Sequence, residues 1–315
     1  MTKKQSPPLF VLIGPTAVGK TALSLGLAKR FNGEIISSDS RLFYRGMDIG
    51  TAKPSAEEQA IVPHHMIDIC EPDETLTLGE YQQRVYRLVD EIGANGRLPM
   101  LVGGTGQYFK AIVEGWGIPK VAPQPQLRAA LGRIPGPELA RWLAELDPAS
   151  AAKHDPRNVR RIIRALEVTF VTGRPISEIQ RKTPPPYNIC IVGLHRDRET
   201  LYRRIDQRVD LMMEAGLLDE VKQLHAKGYH RRLASMSGLG YRQLIDYLEG
   251  ERSLEEAVER IKFETHRFAR QQATWFRLDD KRIRWFDLAN DGVEDTVYDY
   301  VANWLEKNRR LEIRD

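Results

Sequence analysis

Hydrophobic residues in the first hundred positions form short continuous runs separated by segments with helical spacing. Residues 9–13 and 98–102 are continuous apolar runs, typical of strands buried on both faces of a parallel sheet. Between them, residues 80–92 place apolar side chains on one side of a helix. Strands that alternate with helices and are followed by glycines predict an α/β fold with a parallel sheet.

The same patterns continue along the chain. They predict shorter strands at 34–36, 66–69, 189–194 and 283–288, helices at 199–228 and 254–276, and a terminal packing helix from Val293 to Trp304. The stretch in between is different, because prolines cluster from Pro119 to Pro137 and the following residues are helical up to about Gly173. We therefore expect an α/β, P-loop NTPase-like core with an inserted, mostly helical domain. The expected parts are residues 1–114 (first part of the core), 115–186 (inserted domain) and 187–315 (return to the core with C-terminal helices).

Residues 14–21 match the phosphate-loop pattern G-x-x-x-x-G-K-[ST] that is known from ATP-binding proteins. The pattern directly follows an apolar strand and precedes a helix, which is the context it requires. Backbone N–H groups of such a loop surround an anion, Lys20 neutralises it, and the Thr21 hydroxyl can hold Mg²⁺. The predicted phosphate-binding residues are Gly14, Pro15, Thr16, Ala17, Val18, Gly19, Lys20 and Thr21. The loop predicts a polyphosphate ligand, and a diphosphate ester fits it as well as ATP does.

An acidic residue for ATP hydrolysis is missing at the expected place. P-loop NTPases hold Mg²⁺ with a carboxylate at the end of a neighbouring apolar strand. Here the run at 98–102 ends in Gly103-Gly-Thr105, and Asp68 lies inside a predicted strand. The sequence therefore gives weak support to a P-loop kinase or ATPase.

Asp39 and Thr105 each follow a predicted strand. The carboxyl ends of parallel strands gather at one edge of the sheet, so both side chains are expected near the phosphate loop. A carboxylate there suits proton transfer, and a hydroxyl suits a hydrogen bond to a leaving oxygen. The residues alone leave open a second interpretation, in which Ser38, Asp39 or Ser40 caps a helix and Thr105 begins a turn.

Charge and composition favour a soluble protein that binds nucleic acid. The net charge is +4 with a pI of about 9.0, and arginines cluster on three predicted helices beside aromatic residues. Such clusters suit the phosphates and unstacked bases of single-stranded RNA, although one cluster alone would be an ordinary solvated face. Two distant cysteines fit a reducing compartment, and no stretch reaches transmembrane length. We expect a cytoplasmic monomer without a membrane contact.

Several motifs occur together in order. They are residues 14–21, Asp39-Ser-Arg-Leu-Phe-Tyr44, Met47-Asp-Ile-Gly-Thr-Ala-Lys-Pro54, Leu101-Val-Gly-Gly-Thr105 with Tyr108, the stretch from Asn158 to Val168, Gly240-Tyr-Arg242, and Thr274-Trp-Phe-Arg277. Together they resemble the tRNA dimethylallyltransferase (tRNA isopentenyltransferase) family over about residues 9–288. The segment from Asp48 to Pro54 is the most specific, because ordinary P-loop kinases lack it.

The resemblance implies roles for these residues. The phosphate loop with Mg²⁺ would bind the diphosphate of dimethylallyl diphosphate, and Asp39 would receive the proton of an adenine N6 amine next to the tRNA anticodon. Thr105 would contact the bridging oxygen, and Lys20 and Arg208 would neutralise the leaving diphosphate. The implied tRNA contacts are Asp39, Ser40, Arg41, Leu42, Thr105, Arg128, Arg160, Arg161, Ile162, Ile163, Arg164, Ser237, Gly238, Leu239, Gly240, Tyr241, Arg242, Arg270, Gln271, Thr274, Trp275 and Arg277.

The chain departs from the family pattern at two positions. Leu42 stands where many members have Gln, and Gln271 stands where many have Arg. Three other functions remain to be separated from this one: a P-loop kinase, an isopentenyltransferase that acts on free adenylate, and a non-catalytic RNA-binding module. A P-loop kinase is favoured by the phosphate loop alone. An enzyme that acts on free adenylate would not need a basic inserted domain, and a non-catalytic RNA-binding module would not need the phosphate loop.

Overall fold

A computed structural model describes residues 6–312 and their side chains up to residue 308. Its centre is a six-stranded sheet in which every pairing is parallel and the strand order is β3-β2-β4-β1-β5-β6. The strands are β1 (Pro8–Ile13), β2 (Gly33–Ser37), β3 (His64–His65), β4 (Leu98–Gly103), β5 (Asn188–His195) and β6 (Ile283–Asp287). The predicted parallel α/β fold is therefore confirmed.

The middle strand β1 explains why the apolar runs are continuous. It pairs with β4 and β5, with Val11 opposite Leu101 on one side and Ile191 on the other. Helices pack on both faces of the sheet, so Leu9 and Phe10, which point to opposite faces, are both fully buried. Because β1 lies between two partners, the loop that follows it is held at the middle of the sheet edge.

Fourteen helices are found among the described residues. They are α1 (Lys20–Arg30), α2 (Ala56–Ile61), α3 (Leu78–Ala94), α4 (Gly106–Val113), α5 (Pro125–Leu131), α6 (Gly136–Leu146), α7 (Pro148–Ala151), α8 (Val159–Thr172), α9 (Ile176–Ile179), α10 (Arg198–Glu214), α11 (Leu217–Ala226), α12 (Tyr241–Leu248), α13 (Leu254–Trp275) and α14 (Val293–Glu312). Within the part of the chain described, none of them combines the length and the apolar character needed to cross a bilayer.

The chain divides into two compact units. Unit 1 comprises the described residues up to Thr77, Gln83–Phe109, and the described residues from Pro186 onward. Unit 2 comprises Leu78–Gln82 and Lys110–Pro185 and contains α5 to α9. It has its own core, formed by Leu131, Leu139, Leu143, Ile162, Ala165, Leu166, Val168 and Ile176. The second unit thus begins five residues before the predicted boundary at 115 and also includes a short piece of α3.

Two local predictions were wrong, and backbone conformation explains both. Residues 66–69 are not a strand, because Met66 and Asp68 adopt left-handed φ angles of 61° and 53°; the strand consists of His64–His65 instead. The expected helix over 199–228 is two helices, α10 and α11, separated by Gly216 with φ of 97°. Glycine permits this conformation, so the helix ends there and a new one begins.

A buried carboxylate organises unit 2. Glu167 on α8 is fully buried and forms a two-pronged ion pair with Arg128 on α5, with N–O distances of 2.7 and 2.8 Å. It also accepts hydrogen bonds from the Gln124 N–H at 2.7 Å and from Arg164 at 2.5 Å. Burial alone raises the pKa of Glu167, but the hydrogen bonds from Arg128, Gln124 and Arg164 outweigh it and lower this pKa to about 2.

Replacing Glu167 with Gln should destabilise unit 2 at pH 7 by about 2–3 kcal/mol, since two arginines lose their partner but keep some access to water. The pKa in the folded state is below that of the unfolded chain. The contribution of the carboxylate is therefore fully present above about pH 4.5 and lost as the pH falls towards 2. Hydrogen exchange of the α8 amides, measured at pH 7 and pH 2.5 and corrected for the intrinsic exchange rates, reports this difference.

The matched control is Glu138→Gln, because Glu138 forms an exposed ion pair with Arg141 on α6. It should change stability by less than about 0.5 kcal/mol. Equal effects of the two substitutions at pH 7 would show that the Glu167 network does not stabilise the unit.

Candidate active site

The phosphate loop connects β1 to α1, and its backbone has the curvature that surrounds an anion. Gly19 has φ of 119° and Ala17 of 61°, so successive peptide N–H groups turn towards the loop interior. Gly14 has no room for a side chain, because a Cβ atom there would lie 2.8 Å from the carbonyl oxygen of Leu194. The first turn of α1 follows directly, and its unpaired N–H groups add positive potential.

Lys20 folds back over this loop. Its Nζ donates to the carbonyl oxygens of Gly14 at 3.0 Å and Pro15 at 2.8 Å. The pKa of Lys20 is lowered to about 8, because burial and, to a smaller extent, the Arg208 guanidinium outweigh the attraction of the Asp39 carboxylate. An arriving anion would stabilise the protonated amine, so this lysine is suited to bind negative charge.

Two arginines donate hydrogen bonds to backbone carbonyl oxygens of the phosphate loop. Arg204 Nε donates to the carbonyl oxygen of Ala17 at 2.9 Å, and Arg196 Nε donates to that of Val18 at 3.2 Å. Arg204 and Arg208 lie one turn apart on α10 and line the same chamber as Lys20. Burial lowers the pKa of Arg208 despite the nearby Asp39 carboxylate. The loop is therefore surrounded by cations, and the Asp39 carboxylate raises the pKa of both Lys20 and Arg208 against the effect of burial.

Two connected chambers meet at this place in unit 1. The larger has a volume of about 530 Å³ and contains the phosphate loop, Lys20 and Arg208. The smaller, of about 200 Å³, is mostly apolar and is lined in part by the turn at residues 237–241. The residues that line both chambers are Thr16, Asp39, Thr51, Arg208 and Phe268. Asp39 thus faces an anion-binding chamber on one side and an apolar chamber on the other.

Asp39 is held in place by its own loop. Its Oδ1 accepts the Arg41 N–H at 3.0 Å, and its own N–H donates to Ser37 Oγ at 3.2 Å. This is a turn closed by a side chain, as Asp commonly forms after a strand. Asp39 precedes no helix, since the next one begins at Ala56. The helix-capping interpretation of Asp39 is therefore not supported.

Thr105 lies beside the site without lining either chamber. It immediately precedes α4, and its N–H is 3.4 Å from the Ser38 carbonyl oxygen, which places it next to Asp39 in the neighbouring loop. Gly103 and Gly104, directly before it, line the larger chamber. The strand-end argument thus places Thr105 close to the site, and its contact with a leaving oxygen stays a prediction.

The predicted RNA contacts after β2 and before α12 come together in space. The Arg41 guanidinium donates to the carbonyl oxygens of Ala234 at 2.7 Å and Ser235 at 3.0 Å. Arg41, Ser237, Gly238, Leu239, Gly240 and Tyr241 line the smaller chamber, while Leu42 lines the larger one and Ser40 is half-buried between Asp39 and Arg41. Arg242 is outside both chambers and pairs with Glu264.

The predicted RNA contacts on α13 lie on an exposed face. Gln271 and Thr274 line a shallow groove with Phe263, and Arg270 in the same groove donates to the Tyr202 hydroxyl at 2.6 Å. Trp275 is 36% exposed, and just beyond the helix Arg277 pairs with Asp279 at 2.8 Å. These residues are accessible to a macromolecule, unlike the residues inside the chambers.

The predicted contacts in unit 2 differ in accessibility. Arg160 and Arg161 are exposed, whereas Arg128 and Arg164 are already paired with Glu167. Ile163 is half-buried. Ile162 is buried in the unit 2 core with 1% exposure, so any RNA contact there would have to come from its backbone.

Sequence reasoning missed Glu220 on α11. Its carboxylate accepts three consecutive backbone N–H groups, from Asp48 at 2.9 Å, Ile49 at 2.7 Å and Gly50 at 3.2 Å. It also accepts the Tyr241 hydroxyl at 2.6 Å. Glu220 therefore fixes the segment at 48–54, whose Thr51 lines both chambers. The residues of that motif gave no hint of a partner about 170 residues away.

The residues of the larger chamber fit a magnesium ion. Thr21 is the second residue of α1 and lines this chamber together with Asp39 and Glu58. Among the described residues there is no group of three or more His, Cys, Asp or Glu side chains that could hold a metal alone. Mg²⁺ commonly takes one or two protein oxygens and completes its shell with phosphates and water, which this set allows.

A parallel sheet with a phosphate loop after its middle strand defines a protein of the P-loop class. Comparisons with known proteins narrow this further. The family model for IPP transferases matches residues 42–279. The chain is 56% identical over 274 residues to the tRNA dimethylallyltransferase of Roseiflexus sp. (strain RS-1), which covers 86% of this chain and 90% of the relative. It is 46% identical over 309 residues to that of Thermomicrobium roseum, with 97% and 92% covered.

Solved structures agree with this result. The full-length tRNA isopentenylpyrophosphate transferase of Bacillus halodurans is 41% identical with a TM-score of 0.74, over 98% of this chain and all of that one. A eukaryotic dimethylallyltransferase acting on tRNA is 27% identical with a TM-score of 0.85, over 96% of this chain and 80% of that one. The chain therefore belongs to the tRNA dimethylallyltransferase family.

The lowered pKa of Lys20 predicts how anion binding depends on pH. The lysine is protonated below about pH 8 and becomes neutral above it, so affinity for an alkyl diphosphate should fall as the pH rises through 8. The loss should approach tenfold per pH unit, with proton uptake on binding near pH 8. Calorimetry between pH 7 and 9.5 measures both, since an ester phosphate is already ionised in this range.

Lys20→Arg is the control, because arginine keeps its charge over the whole range. Its affinity is expected to be lower at pH 7 but nearly constant with pH. The same decline with pH in this variant would assign the titration to another group.

Proposed function

We propose that the protein transfers a dimethylallyl group from dimethylallyl diphosphate to the N6 amine of the adenosine 3′-adjacent to a tRNA anticodon. The products are the N6-dimethylallyl base and diphosphate. One observation carries this proposal: the Asp39 carboxylate lines both chambers, one with cations for a diphosphate and one that is mostly apolar. This arrangement suits a reaction in which the diphosphate donor occupies one chamber, the acceptor base occupies the other, and Asp39 between them accepts a proton. Family membership gives independent support.

The chemistry on the donor side is the departure of diphosphate. The allylic carbon is a good electrophile, so the main task is to stabilise the charge that develops on the leaving group. The phosphate-loop N–H groups, Lys20 and Arg208 do this, and Thr105 donates to the bridging oxygen. Mg²⁺ held by Thr21 supplies further positive charge to the diphosphate oxygens when it is bound.

The chemistry on the acceptor side is the activation of a weak nucleophile. The lone pair of the adenine amine is delocalised into the ring, so correct orientation matters more than basicity. Asp39 accepts a hydrogen bond from the amine, orients it towards the allylic carbon, and receives its proton as the new C–N bond forms. The base comes from a single-stranded loop, where extrusion costs only a few kcal/mol.

The charge of unit 2 supports a role in RNA binding. Its residues 78–82 and 110–185 contain 13 Lys and Arg and eight Asp and Glu, a net charge of +5 in a chain whose total is +4. The positive charge is thus concentrated in the smaller unit, where it can attract a phosphodiester backbone. We propose that unit 2 binds the anticodon stem-loop, and that the enzyme acts as a cytoplasmic monomer.

An assay with labelled dimethylallyl diphosphate and Mg²⁺ tests the function. Label should appear in unmodified tRNA and not in AMP, because the positive charge of unit 2 favours a polynucleotide acceptor. Labelled AMP would instead indicate an enzyme of free adenylate. ATP hydrolysis at a high rate without tRNA would indicate a P-loop NTPase and refute the proposal.

Replacement of Asp39 by Asn tests the proton acceptor. Asn keeps an oxygen for the Arg41 N–H and therefore preserves the turn, but it cannot take the proton. Turnover should fall about a hundredfold or more, with the Kd for tRNA nearly unchanged. Single-turnover rates and filter binding separate the two effects. Equal losses of rate and affinity would give Asp39 a structural role instead.

A further inference from the structure

A buried glutamine on α13 joins two loops of the active site. Gln272 is 4% exposed and lines the larger chamber. Its Oε1 accepts the backbone N–H of Thr16 in the phosphate loop at 2.9 Å. Its Nε2 donates to the carbonyl oxygen of Gly104 at 2.9 Å. One amide thus connects the loop after β1 with the loop after β4.

The loop after β4 is shaped to receive this side chain. A Cβ atom at Gly104 would lie 2.5 Å from Gln272 Nε2 and 3.2 Å from the Gly14 carbonyl oxygen. A larger residue at position 104 would therefore separate the glutamine from its acceptor. The absence of a side chain at this position is what allows the two loops and the amide to approach so closely.

The bridge ends one residue from Thr105. The N–H of Thr105 reaches towards the Ser38 carbonyl oxygen at 3.4 Å, and Ser38 adjoins Asp39. Gln272 therefore connects the phosphate loop to Gly104 by hydrogen bonds. The next residue, Thr105, is connected to the Asp39 loop through the Ser38 carbonyl oxygen. The three loops that follow β1, β4 and β2 are linked in this order, and α13 supplies the connection between the first two.

We infer that Gln272 is a positioning residue that sets the spacing between the diphosphate held by the phosphate loop and the hydroxyl of Thr105. Its amide is hydrogen-bonded to the backbone of both loops, and through these bonds it fixes their separation. This inference rests on the proposed prenyl transfer, because that reaction requires the leaving oxygen to be placed against Thr105. A displacement of about 1 Å can cost a hundredfold in rate.

An amide is needed at this position for a chemical reason. Thr16 supplies a donor and Gly104 an acceptor, so the bridging side chain must accept at one end and donate at the other. Methionine has a similar length and does neither. An ionised glutamate can accept the hydrogen bond from the Thr16 N–H. Its second oxygen cannot donate to the Gly104 carbonyl oxygen and is repelled by it. The carboxylate also adds negative charge to a diphosphate site. A protonated glutamate has one acceptor and one donor, as glutamine does.

The test compares the Gln272→Met and Gln272→Glu variants of the full chain with the parent in the tRNA prenylation assay. Gln272→Met should lower kcat by about ten- to a hundredfold, with the KM for tRNA unchanged within about threefold. Gln272→Glu should lose at least as much at pH 8, and its kcat relative to the parent should rise towards pH 6 as the carboxyl group gains a proton.

The charged and titratable groups that line this chamber are Lys20, Asp39, Glu58, His64, Arg204 and Arg208. Gln272→Met adds no charge and leaves the titration of these groups nearly unchanged, so the ratio of its kcat to that of the parent should be constant with pH and serves as the reference for Gln272→Glu. The control is Gln223→Glu, which adds the same charge at an exposed position on α11. The ratio of its kcat to that of the parent should be about one at every pH.

The outcomes separate this inference from the proposed function. If the parent transfers no dimethylallyl group to tRNA, the proposed function fails. If the parent is active and Gln272→Met keeps kcat within about threefold, the positioning role is refuted. Should Gln272→Met unfold, the decision falls to Gln272→Glu, where a kcat within about threefold of the parent at pH 8 in a folded protein would equally refute it.

Discussion

The parallel pairing of β2, β4 and β1 is the constraint on which the candidate site depends. Because all three strands run in the same direction, the loops that follow them leave the sheet at one edge. The registers place Ile13 beside Gly103, and Ser37 beside Val102. The phosphate loop, the loop of Asp39 and the loop of Thr105 must therefore meet, even though they are separated by up to 90 residues of chain.

Electrostatics then determines what this edge can do. Lys20 and Arg208 are half-buried, and burial lowers the pKa of both, which means that their charged forms are poorly solvated. The Asp39 carboxylate compensates only part of this cost. A diphosphate would complete the compensation and would leave Asp39 available for a second partner, in the chamber that it also lines. In the proposed reaction, the charges that bind the donor would thus also prepare the acceptor site.

Local signals predicted the parts of this arrangement that depend on local structure. The apolar run of β1, the glycines of the phosphate loop and the acid after β2 follow from short-range patterns, and the structure places all of them at one site. The strand at 66–69 was wrong because its composition could not reveal left-handed residues at Met66 and Asp68. Glu220 and Gln272 were missed because their partners are about 170 and 256 residues distant, and no periodicity encodes such contacts.

The two missed residues share a physical property that the predicted ones lack. The hydrogen bonds of Asp39 and Lys20 to the backbone stay within their own loops, whereas Glu220 and Gln272 bind the backbone of loops that are distant in the sequence. Loops contribute few apolar contacts, so hydrogen bonds from rigid helices are the means of fixing them. A site built on three loops therefore needs such residues, and α11 and α13 each provide one. The chemistry can be predicted from motifs, but the rigidity on which it depends is distributed over distant helices.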